Sequence, residues 1–66
     1  MNIQVNGESR EIQEGMSVAS LLRHLEIRGE QVAVEVNREI LDKQGFDTRL
    51  LQAGDQVEIL SFIGGG

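Results

Sequence analysis

Apolar and polar positions alternate from the first residue, with Met1, Ile3 and Val5 set against Asn2, Gln4 and Asn6. A period of two predicts a strand with one buried face. Asn6-Gly7 follows. That dipeptide predicts a type I′ hairpin, because both central positions of the turn take positive φ. The chain is expected to return over residues 8–13 as a polar strand. Ile12 is its strong core candidate, and Glu8, Arg10 and Glu11 guard a sheet edge.

Gly15 breaks this pattern, and Ser17 stands where a helix N-cap supplies its hydroxyl to an orphan backbone N–H. Val18, Leu21, Leu22 and Leu25 then recur at helical spacing, with Arg23 and Glu26 toward water. Gly29 is expected to end the segment. Val32, Val34 and Val36 alternate with Ala33 and Glu35 as a third strand, leading to a polar turn at Asn37-Arg38-Glu39 and a very short strand at Ile40-Leu41. Residues 42–51 carry neither period, and Phe46, Leu50 and Leu51 are expected to pin this loop to the core.

Ala53-Gly54-Asp55 reads as a turn that launches the last strand at Gln56. Along that strand Val57 and Ile59 point one way, while Glu58, Leu60 and Phe62 point the other. A strand apolar on both faces belongs in the middle of a sheet. Only one helix is available to cover the sheet, so Leu60 and Phe62 form either an exposed partner surface or a face hidden by the 42–51 loop.

Composition narrows the possibilities. Sixty-six residues make one domain without room for a large enclosed substrate pocket. Eleven acidic against six basic residues give a net charge of −5, which repels nucleic acid and anionic membranes. Cysteine is absent, removing disulfides, thiolate nucleophiles and sulfur-ligated zinc. No basic n-region or long apolar run is present, so a cytoplasmic chain, monomeric when free, is expected.

The side chains offer little catalysis. His24 is the only histidine, and Glu35, Glu39 and Asp42 fall on a strand, a turn and a loop with no pocket to shift their proton affinity. No metal cluster is expected. Gly64-Gly65-Gly66 is no phosphate loop, since no helix and no Lys-Ser/Thr follow it. The glycines alone fit a frayed terminus. They also make a thin thread without Cβ atoms, able to carry the Gly66 carboxylate about 10 Å beyond Ile63. A carboxylate becomes reactive once joined to AMP, so this chain is expected to be a substrate of other enzymes rather than an enzyme.

Four stretches together resemble the ubiquitin-like β-grasp sulfur carriers, those of thiamine biosynthesis most closely. They are Ile3-x-Val5-Asn6-Gly7, Val18-x-x-Leu21-Leu22, Val32-Ala33-Val34-Glu35-Val36-Asn37 and Gly54-Asp55-x-Val57-Glu58-Ile59, closed by the terminal glycines. The resemblance implies an α+β fold, with a mixed four- to five-stranded sheet and one main helix on one face. A β-grasp domain over residues 1–63 would carry a flexible tail over 64–66. It further implies that a ubiquitin-activating-like adenylyltransferase (ThiF type), using ATP and magnesium, adenylates Gly66. The residue becomes a thiocarboxylate, and a thiazole synthase (ThiG type) receives the sulfur. Gly65 matches the family's penultimate glycine, and Gly64 extends the usual pair. This chain itself is expected to bind no cofactor. Carriers for molybdopterin are generally longer, which favours thiamine; the alternative readings are a carrier for molybdopterin or for tRNA thiolation, or a non-covalent interaction module.

Overall fold

A computed structural model describes residues 1–62. Strand β1 (Asn2–Val5) pairs antiparallel with β2 (Glu8–Glu11) through the expected hairpin, in which Asn6 and Gly7 adopt φ of 50° and 82°. Helix α1 (Val18–His24) follows, then a 3-10 turn (Gly29–Gln31). The antiparallel pair β3 (Val32–Val36) and β4 (Glu39–Leu41), a second 3-10 turn (Lys43–Gly45), and β5 (Gln56–Ser61) complete the chain. The sheet order is β2-β1-β5-β3-β4. Thus β5 occupies the centre, parallel to β1 and antiparallel to β3, as its two-faced apolar pattern predicts.

One face of the sheet closes on α1. Ile3, Val34 and Val57 from the sheet meet Val18, Leu21 and Leu22 from the helix, with Ile12, Phe46 and Leu51 sealing the rim. A helix of seven residues is too short to persist alone in water. Its ends are therefore completed by other parts of the chain. The Ser17 hydroxyl accepts from the Ser20 N–H at 3.1 Å, as an N-cap should. The Val18 and Ala19 N–H groups donate to the carbonyls of Arg49 (3.1 Å) and Phe46 (2.7 Å), and Leu21 donates to Ser17 (2.9 Å). The orphan donors of Val18, Ala19 and Ser20 are thus satisfied, and the Leu21 bond is the first within the helix.

Residues 46–51 are thus committed to the helix N-terminus and leave Leu60 and Ile40 of the outer sheet face exposed, while Lys43 alone of the 42–51 segment reaches that face, at Phe62. Within them, Phe46 and Leu51 are buried as expected, but Leu50 is 52% exposed and does not pin the loop. Leu50 bridges Ser17, and the Leu51 N–H donates to the Met16 carbonyl. In extended chain adjacent side chains point oppositely, so only one of the two leucines can face the core.

Three boundaries differ from the sequence pattern. The helix closes before Gly29, at Leu25, with Glu26 in the left-handed region (φ 61°). The Glu26 N–H donates to the Arg23 carbonyl at 3.0 Å and the Ile27 N–H to the Leu22 carbonyl at 2.8 Å, the double bond of a Schellman closure. Ile27 packs against the core, which offsets the strain of a non-glycine residue there. The second strand stops at Glu11, where Asn2 is its partner at the start of β1, and Ile12 turns inward beyond it. Glu39 belongs to β4 rather than to the turn, because Asn37 and Arg38 alone form the loop, at φ of 54° and 70°.

Candidate functional site

Everything the sequence marked as functional lies at or beyond the exit of β5. Register places Glu58 opposite Glu35, Leu60 opposite Ala33, and Ser61 opposite Val32. Across β3, Ile40 of β4 faces Glu35. The outer face therefore carries Leu60, Phe62 and Ile40, exposed at 54%, 59% and 78%, beside a pair of directly opposed carboxylates. Of the two arrangements open in the sequence, Leu60 and Phe62 take the exposed one, and Ile40 adds to their apolar surface. Sequence reasoning treated Ile40 only as a strand residue; its adjacency to Glu35 needed the β3–β4 register.

The strand exit is held by its neighbours. The Phe62 N–H donates to the Gln31 carbonyl at 3.2 Å. The Lys43 ammonium lies 5.1 Å from the centre of the Phe62 ring and donates to the Glu30 carbonyl at 2.9 Å. A cation over an aromatic face is attracted by the ring quadrupole. The 3-10 turns before β3 and after β4 thus converge on the last described residue. Gly64, Gly65 and Gly66, the expected tail and modification site, lie outside the described residues, as does the expected domain boundary after residue 63.

The entry of β5 is built around a buried carboxylate. Asp55 is 6% exposed. Its Oδ2 accepts from the Gln52 N–H at 2.8 Å and lies 3.5 Å from Arg49 Nη2, while Oδ1 accepts from Asn37 Nδ2 at 3.0 Å. Asn37 also accepts the Gln56 N–H on its own Oδ1 at 3.0 Å. Gly54-Asp55 and Asn37 read from sequence as turn formers. Their shared network, spanning 18 residues, carried no local signal.

The remaining candidates stay apart. His24 is exposed and lines an open groove with Glu11, Ile12, Gln13 and Met16, whereas Glu35, Glu39 and Asp42 line neither this groove nor the one between Val5 and Ile59. Among the described residues no group of three or more His, Cys, Asp or Glu side chains could hold a metal ion. No helix among them is long and apolar enough to cross a membrane.

A five-stranded mixed sheet grasping one helix, with the last strand at its centre, defines a ubiquitin-like β-grasp domain. The chain belongs to the ThiS family, whose model matches residues 3–66. The crystal structure of a thiamine biosynthesis protein (ThiS) from Geobacter metallireducens superposes with a TM-score of 0.86 at 40% identity, over 100% of both chains. The sulfur carrier protein ThiS of Escherichia coli is 29% identical over 100% of both chains. A thiazole synthase of Paramagnetospirillum magneticum is 41% identical over the whole of this chain, which spans 20% of the length of that relative.

Proposed function

We propose that this protein is a sulfur carrier for thiazole formation in thiamine biosynthesis, acting in the cytoplasm as a co-substrate rather than as an enzyme. The observation that carries the reading is the central strand β5. It runs through the middle of the sheet to the exposed Leu60 and Phe62, and in the sequence Ile63 and then Gly64-Gly65-Gly66 follow.

In the proposed cycle an adenylyltransferase of the ThiF type docks on the Leu60/Phe62 face and draws the three glycines into its ATP site. A Gly66 carboxylate oxygen attacks the α-phosphorus of magnesium-bound ATP, and pyrophosphate leaves. The product is an acyl-adenylate, whose carbonyl carbon is no longer shielded by negative charge. Hydrosulfide, HS⁻, attacks that carbon, its proton is lost and AMP departs, leaving a thiocarboxylate on Gly66. A thiazole synthase of the ThiG type then receives the sulfur; similarity to a segment of proteins named thiazole synthase supports this acceptor. Glycines suit the passage because the absence of Cβ atoms lets the backbone enter a narrow channel.

The test is ATP–pyrophosphate exchange catalysed by the activating enzyme, with the native chain and with a chain extended by one alanine after Gly66. The native chain should support exchange, and the extended chain should lose it while still docking. Exchange from neither chain, with docking intact, would remove the carboxylate of Gly66 from the chemistry and leave a non-covalent module.

A further inference from the structure

Asn6 does more than turn a hairpin. Strand β1 reaches β5 with backbone pairing only as far as Val5, opposite Val57. The last backbone bond between them runs from the Asn6 N–H to the Val57 carbonyl, at 2.9 Å, before the chain bends away to β2. Strand β5 continues to Ser61, with β3 beside it on one flank. On the other flank, the N–H and C=O of Ile59 point toward where β1 would have continued. Both meet the Asn6 side chain: the Ile59 N–H donates to Asn6 Oδ1 at 2.8 Å, and Asn6 Nδ2 donates to the Ile59 carbonyl at 3.4 Å. A carboxamide carries one donor side and one acceptor side, as a peptide unit does. Asn6 therefore replaces the missing β1 residue and extends the parallel ladder by one step.

This explains why asparagine, and not merely any residue tolerant of positive φ, suits this position. Glycine would satisfy the backbone angle equally well and leave Ile59 without a partner on that flank. The tethered residue stands between the half of β5 locked by two strands and Leu60 and Phe62 of the outer face.

We propose that Asn6 is a positioning residue for activation: its carboxamide fixes the outgoing half of β5, so that Leu60, Ser61 and Phe62 keep one orientation when the activating partner engages the strand end. The proposal rests on the carrier function above. Holding a reacting group near its productive geometry raises the rate of the bound complex more than its affinity. Loss of the tether should therefore appear chiefly in kcat.

The experiment uses the full chain with Asn6→Gly, which keeps positive φ and deletes the carboxamide, and Asn6→Asp, which keeps the size but sets a carboxylate oxygen against the Ile59 carbonyl. Ile12→Val serves as a core control of comparable stability cost. Amide hydrogen exchange is read at Ile59 and Val34, and kcat and KM are read in ATP–pyrophosphate exchange. In Asn6→Gly the Ile59 amide should exchange roughly tenfold faster while Val34 keeps its protection. Its kcat should fall roughly 5- to 10-fold with KM moving less than about twofold. Asn6→Asp should fall between Asn6→Gly and the native chain, and Ile12→Val should leave kcat unchanged. Unaltered Ile59 exchange in Asn6→Gly, or faster exchange with native kcat, would overturn the proposal while the carrier reading stands. A native chain that supports no exchange with its activating enzyme would overturn both.

Discussion

Replacing Asp55 tests the account of how β5 is launched. The buried carboxylate holds three groups: the Gln52 N–H at 2.8 Å, Asn37 Nδ2 at 3.0 Å, and the Arg49 guanidinium at 3.5 Å. Hydrogen bonds to a charged acceptor contribute about 1.5–3 kcal/mol each, and their losses do not add fully when they share one group. The Arg49 side chain is 32% exposed, so solvent screening limits this ion pair to about 0–1 kcal/mol. Gln52 is exposed and recovers part of its bond from water. Asp55→Ala should therefore cost about 2–4 kcal/mol, a large share of the stability of so small a domain. At about 4–8 °C per kcal/mol, Tm should fall by about 8–30 °C. Asp55→Asn keeps the shape but turns an amide donor either toward Asn37 Nδ2 or toward the Gln52 N–H and Arg49, and should cost about half as much. Urea unfolding followed by circular dichroism, with thermal melts, measures both variants. An Asp55→Asn chain as stable as the native one, or a loss below about 1 kcal/mol in Asp55→Ala, would refute the network as the anchor of the strand.

Three further perturbations probe separate parts of the structure. Leu51→Ala should cost about 2–4 kcal/mol in urea unfolding, whereas Leu50→Ala should stay within about 0.5 kcal/mol, because only Leu51 is buried. Glu58→Gln removes one of two carboxylates paired across β3 and β5, so it should stabilise by a few tenths of a kcal/mol, with the gain shrinking in salt. The double change Leu60→Ser and Phe62→Ser should leave Tm nearly unchanged, since both side chains are more than half exposed, while raising KM in the activation assay roughly tenfold. Native-like KM would move the docking surface elsewhere.

The succession of elements and, Leu50 apart, the core were legible because alternation and helical spacing are direct consequences of burying one face. The two-faced pattern of residues 57–62 placed β5 at the centre before any pairing was known. The fate of residues 42–51 was not legible, because they are held by backbone carbonyls that cap α1, and carbonyls are the same in every sequence. Glu26 closed the helix in place of Gly29 for a related reason: the packing of the partly buried Ile27 against the core outweighed local backbone preference. At the site, the exposed pair Leu60 and Phe62 followed from the strand pattern. The side-chain bridges from Asn6 to Ile59, 53 residues apart, and from Asn37 to Asp55 left only turn signatures in the sequence.

The central claim is that Gly66 carries sulfur. Intact-mass measurement of the chain, after incubation with its activating enzyme, ATP, magnesium and a sulfur donor, tests it most directly. The account predicts a mass gain equal to one sulfur replacing one oxygen, located on the C-terminal peptide and absent when ATP is withheld. An unchanged mass under conditions where the enzyme consumes ATP, or a gain mapped away from Gly66, would contradict it.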